Sequence, residues 1–108
     1  ESGSAISAQQ YRQDISTQRD LARLIERDSE RFDILIGLAT ADEAPLGLEG
    51  QDQPDHCLIW TMCGLPTMSL PMLAGSSGLP VGVQIVARRY NDPLLLSFAE
   101  LLSRVVAT

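Results

Sequence analysis

The chain has 108 residues, enough for a single domain over residues 1–108 but too few for two. Its 44% hydrophobic and 20% charged content is that of a globular fold, which excludes wholesale disorder. A formal net charge of −6 repels phosphate backbones and anionic bilayers, so neither nucleic acid nor membrane is an expected partner.

The N-terminus, E-S-G-S-A-I-S, lacks the basic region and apolar core of a signal peptide. The chain opens on Glu1 rather than Met, as expected of a piece cut from something longer. No apolar run approaches the ~18 residues that cross a bilayer.

Residues 7 to about 31 read as an amphipathic helix of about 24 residues, roughly 36 Å long. Ser7 and Gln10 have the spacing of a capping box, with Ile6 and Tyr11 placed as a hydrophobic staple. Tyr11, Ile15, Gln18, Ala22 and Ile25 then recur at four- and three-residue steps, and Leu21 and Leu24 widen the stripe. Arg19, Arg23, Arg27 and Arg31 form a ridge on the other side. Asp20, Glu26, Asp28 and Glu30 are interleaved with it, so a solvated, self-neutralising face is expected.

Residues 34–39, I-L-I-G-L-A, are a short continuous apolar run, the pattern of a central strand buried on both faces. An acidic loop over residues 40–55 follows, with Asp42, Glu43, Glu49, Asp52 and Asp55 among Pro45, Gly47, Gly50 and Pro54; its spacing fits no calcium loop. A short helix over residues 56–63 carries Trp60 and Met62. Two β-forming runs, residues 67–70 and 81–86, each open just after a Gly-Leu-Pro triplet. A Gly/Ser loop too short for a parallel crossover joins them, so they must pair antiparallel. Asn91-Asp92-Pro93 starts the last helix, with Asp92 as cap and an apolar stripe through Leu94, Leu95, Phe98, Leu101, Leu102 and Val105. The order helix, strand, short helix, strand, strand, helix gives an α/β arrangement on a three-stranded mixed sheet, part of a larger one.

The chemistry-bearing residues are few. Cys57 and Cys63 are read as two ordinary thiols in a reduced, cytoplasmic setting. One histidine and two cysteines cannot complete a zinc site, and adjacent His56 and Cys57 point apart, a poor geometry for a thiol–imidazole pair. No metal or other cofactor is expected. All eight basic residues are arginines, so the chain has no lysine. Ser76 and Ser77 belong to the Gly75-to-Gly78 connection and read as turn residues rather than nucleophiles. Gln84 interrupts an apolar strand; if buried, it needs a hydrogen-bond partner, expected to be backbone of a neighbouring loop.

Several of these segments together resemble the C-terminal part of the amidase signature family. They are Phe32-Asp33-Ile34-Leu35 opening the first strand, Ala44-Pro45, the W-T-x-x-G-L-P segment over residues 60–66, and a strand ending at Pro71. The Gly-Leu-Pro-Val-Gly-Val-Gln run over residues 78–84 is the most specific, and Asp92 with Leu94 and Leu95 completes the set. Gly37-Leu38, Leu73 and Ala87 depart from the family pattern. The resemblance implies a hydrolase of carbon–nitrogen amide bonds whose nucleophilic serine, bridging cis-serine and lysine base lie elsewhere. It leaves no catalytic residue in this chain, which alone should be inactive. This part would complete the sheet and wall the pocket of a small-molecule amide, with His56, Cys57, Ile59 and Trp60 as lining residues. Its partner would be the N-terminal catalytic part of the parent, and the isolated piece should self-associate. Two alternatives stand beside this reading. One is an amidase subunit of a transfer-RNA-dependent amidotransferase, a group that tends to have asparagine where Thr61 stands. The other is a stand-alone binding or assembly domain.

Overall fold

A computed structural model describes residues 2–50 and 56–106. The element order is α1 (Ala8–Asp28), β1 (Leu35–Leu38), α2 (Leu58–Cys63), β2 (Thr67–Ala74), β3 (Pro80–Val86) and α3 (Asp92–Val106), as expected. Short 3-10 turns at Ser2–Ala5 and Ser29–Arg31 flank α1.

The start of α1 is set by Ser7, whose hydroxyl accepts the Gln10 amide at 3.1 Å. Only this half of the capping box forms, because the Gln10 side chain turns forward and donates to Asp14 Oδ1 at 2.8 Å. Ile6 and Tyr11 are both exposed. The far end of the helix is shorter than expected, since its last turn tightens into Ser29–Arg31. The self-neutralising ladder is largely unformed: among the described residues, Arg23 with Asp20 at 3.6 Å is the one ion pair on this helix.

The sheet has the order β1-β3-β2, and both pairs are antiparallel rather than mixed. The hairpin expected of β2 and β3 forms, with Gly78 in the left-handed region (φ 85°) of its turn. β2 runs on past Pro71 to Ala74; a register shift between Leu70 and Leu73 absorbs the proline, which an edge strand tolerates. Glu43 closes over this turn, its carboxylate accepting the Ser77 amide at 2.8 Å, and a methyl at Gly75 would overlap it. Ser76 and Ser77 thus lie in the turn.

β1 corrects an expectation. It is an edge strand, with Ile36 59% exposed, because β3 occupies the centre and no strand described lies beyond β1. Register places Leu35, Val86 and Thr67 in one row and Ile36, Ile85 and Met68 in the next, on opposite faces. On the first face, Val86 packs with Cys63, Leu65, Trp60, Ala22 and Ile25, where α2 and α1 lie. On the second, Ile85, Ala87, Leu95 and Ala99 form a core with Met68, Leu70, Phe98 and Leu102. α3 packs over β2 and β3, while Ile36 and Leu38 of β1 stay exposed. Ile85 alone is fully buried among the large side chains described.

α3 starts one residue earlier than expected in its capping, since the Asn91 carbonyl accepts the Leu95 amide at 3.2 Å. Tyr90, just before it, has φ 66°, the one non-glycine residue described in the left-handed region. Of the acidic loop, Asp52, Pro54 and Asp55 lie outside the described residues.

Candidate functional site

The segment entering α2 returns to the end of β1. The His56 amide donates to the Ala39 carbonyl at 3.1 Å, and its ring Nδ1 lies 3.1 Å from the Leu38 carbonyl. Two contacts to one strand end fix the direction in which α2 sets off. Gly64, at φ 72°, ends that helix, with its amide donating to Thr61 and the Leu65 amide to Trp60.

Beside the β1 edge these elements leave a hollow of about 160 Å³, lined by Leu35, Ile36, Gly37, Leu38, His56, Trp60, Gln84 and Val86. His56 and Trp60, two of the four lining residues expected, meet there. Cys57 is half-buried behind it, its Sγ accepting from Gln84 Nε2 at 2.9 Å. Ile59 is 40% exposed and is not part of the lining.

Gln84 is 3% exposed, so its amide could not be left without a partner. The partner described is the Cys57 thiol rather than loop backbone. Its row across the sheet, Gly37–Gln84–Ser69, is small and polar. Small side chains there leave room above the sheet, and the Gln84 amide supplies polarity at its floor. A shallow, mostly apolar hollow with one imidazole and one amide can bind and orient a ligand. Both cysteines stand as thiols. Among the described residues no group of three His, Cys, Asp or Glu side chains is placed for a metal ion, and no helix is long and apolar enough to cross a membrane.

The β1 wall was missed by sequence reasoning because a continuous apolar run signals burial, not which edge faces a cavity. Gln84 carried a signal, as the one amide in an apolar strand.

Residues 3–96 match the family model described as Amidase. The chain is 33% identical over 99 residues to a mitochondrial glutamyl-tRNA(Gln) amidotransferase subunit of Drosophila pseudoobscura pseudoobscura, covering 82% of this chain and 20% of that protein. It is 39% identical over 72 residues to the corresponding subunit of Nitratidesulfovibrio vulgaris, 66% of this chain and 14% of that one. Among solved structures, 6-aminohexanoate cyclic dimer hydrolase with its substrate superposes at a TM-score of 0.78 with 27% identity, covering 97% of this chain and 27% of that one. A bacterial aryl acylamidase of the amidase signature family shares the fold, at a TM-score of 0.65 and 22% identity over 87% of this chain and 22% of that one. The chain therefore spans between about a seventh and a fifth of the length of the curated relatives described.

Proposed function

Since this chain belongs to the amidase family, we propose that it is the C-terminal portion of a hydrolase that cleaves carbon–nitrogen amide bonds. In that protein it completes the sheet and walls the acyl side of the substrate pocket. The carrying observation is the superposition of 97% of this chain on about a quarter of a hydrolase. With no lysine, the chain cannot supply the amine base that activates a serine in this family, so catalysis falls to its partner, the N-terminal part of the parent.

His56 and Trp60 contact the amide in this reading, Cys57 steadies the wall through Gln84, and Ile59 comes into play if the parent extends the pocket over α2. A reduced, cytoplasmic setting belongs to this reading, with Cys57 and Cys63 as ordinary thiols. Cut from its parent, the piece exposes uncovered apolar faces and self-associates.

The test is amine or ammonia release from a panel of small amides by the full-length polypeptide. Activity in the parent, none in the 108-residue chain, and a Trp60→Ala variant whose KM rises more than its kcat falls is the expected set. A fully active Trp60→Ala parent would remove Trp60 from the pocket.

The named curated relatives favour one second reading, an amidase subunit that serves a transfer-RNA-dependent amidotransferase. Ammonia release from free glutamine by the full-length protein would select it over the first.

A further inference from the structure

The arginines of the helix ridge, of which Arg23 alone has an ion pair among the described residues, do not stand alone. Across from α1, the turn between β3 and α3 brings Arg88 and Arg89 to face it. Between them run two adjoining hollows, of about 510 and 440 Å³, which share Arg23, Glu26 and Arg89. Arg19 lines the first hollow, and Arg27 and Arg88 line the second. Five of the eight arginines thus meet in one trough, against the two carboxylates of Glu26 and Glu30. Among the described residues, Arg23 alone of these five has a carboxylate within ion-pair distance, that of the exposed Asp20 at 3.6 Å.

The trough carries a formal surplus of three positive charges in a chain whose net charge is −6. At physiological ionic strength charges more than about 8 Å away are largely screened, so a bound anion feels the trough and not the molecule's total. Guanidinium forks fit phosphate oxygens in pairs. Successive ridge arginines rise about 6 Å along the helix, so Arg23 and Arg27 can hold the two ends of a triphosphate from one wall while Arg88 closes from the other. A surplus of this size is matched by an oligophosphate of three or four negative charges.

A second, independent feature lies at the rim. Tyr90 lines the same trough, is 85% exposed and has its backbone in the left-handed region. Such a conformation is unfavourable for a tyrosine, and neighbouring Arg89 lies over its ring at 5.5 Å. An aromatic ring held in the open beside a phosphate-sized row of arginines is a stacking platform for a base.

We propose that the trough between α1 and the β3–α3 turn is a nucleoside oligophosphate site. The phosphates sit on Arg23, Arg27 and Arg88, and the base stacks on Tyr90. This site stands apart from the hollow beside β1 and does not depend on amide hydrolysis.

The experiment is calorimetric titration of the full-length polypeptide at about 0.15 M salt with ATP, inorganic tripolyphosphate, citrate and a short single-stranded oligonucleotide. Saturable ATP binding, tighter than that of tripolyphosphate and much tighter than that of citrate, is expected. Arg23→Glu and Arg88→Glu should each weaken ATP by about tenfold or more. Tyr90→Ala should cost ATP about fivefold or more and leave tripolyphosphate unchanged. Arg12→Glu, the same charge reversal on the same helix but outside the trough, should leave all affinities as they were. The site is overturned if ATP does not saturate, if citrate matches it, or if Arg12→Glu weakens binding as much as Arg23→Glu. Insensitivity of ATP to Tyr90→Ala removes the nucleoside, and binding of the oligonucleotide without ATP replaces the proposal with a nucleic-acid strand. Arg23 has a side chain 79% exposed, so its reversal remains a test even where Arg88→Glu fails to fold.

Discussion

At the scale of single residues, two side chains hold positions that ordinary preference would deny them. Gln84 is a buried amide whose described partner is a thiol, and the pair links the centre of the sheet to the start of α2. Removing the sulfur leaves the amide short of an acceptor, so Cys57→Ala should lower stability by about 1–2 kcal/mol. Cys57→Ser should recover part of that loss, because a hydroxyl can accept the same hydrogen bond. Urea unfolding of the three proteins measures both effects. Tyr90 is the opposite case, an exposed side chain on an unfavourable backbone. Tyr90→Gly should raise stability by about 1 kcal/mol in the same assay, since glycine adopts a positive φ without the side chain's steric cost. A stability gain that coincides with loss of nucleotide binding would show that the strain is retained for use.

At the scale of elements, the sequence was most legible where local rules act alone. Ser7 at the head of a periodic stripe set the start of α1, and two β-forming runs across a Gly/Ser turn could make nothing but a hairpin. Ser7→Ala should cost about 1 kcal/mol, and hydrogen exchange at the Gln10 amide should quicken before that of the helix centre. Legibility ended where a neighbour decides. The apolar run of β1 reads as a doubly buried strand, yet it stands at an edge with Ile36 in the open. Nor could spacing tell which of Asp20, Glu26, Asp28 and Glu30 would reach an arginine, because i, i+4 pairs between exposed side chains are worth only a few tenths of a kcal/mol. Two of the eight residues that line the candidate hollow, His56 and Trp60, were among the four expected to line a pocket. Its β1 wall came only from strand register.

At the scale of the whole molecule, the chain spreads instead of rounding up. Its radius of gyration is 16.9 Å, against about 13 Å for a compact domain of this length. Its extents are 53 × 40 × 17 Å. α1 has no fully buried residue, and Leu21, Leu24, Ile36 and Leu101 are all at least 40% exposed. These surfaces, with an unpaired β1 edge, are what a larger sheet would cover. The 108-residue chain by itself should therefore scatter light as dimers or larger species and bind a hydrophobic dye. A sharp monomer that ignores the dye would show that these surfaces need no cover.

The order β1-β3-β2 also dictates a sequence of events in time. β3 meets β2 across a short turn, so that ribbon can close within microseconds of collapse. Its other flank must wait for β1, whose Leu38 faces Val83 from the far side of a long intervening segment that has first to be looped. Until then the middle strand has one side unpaired. Until β1 docks, the strand that ends most buried is open to the wrong neighbour, and the Glu43 carboxylate, accepting the Ser77 amide over the hairpin turn, ties the segment after β1 to the ribbon once it has arrived.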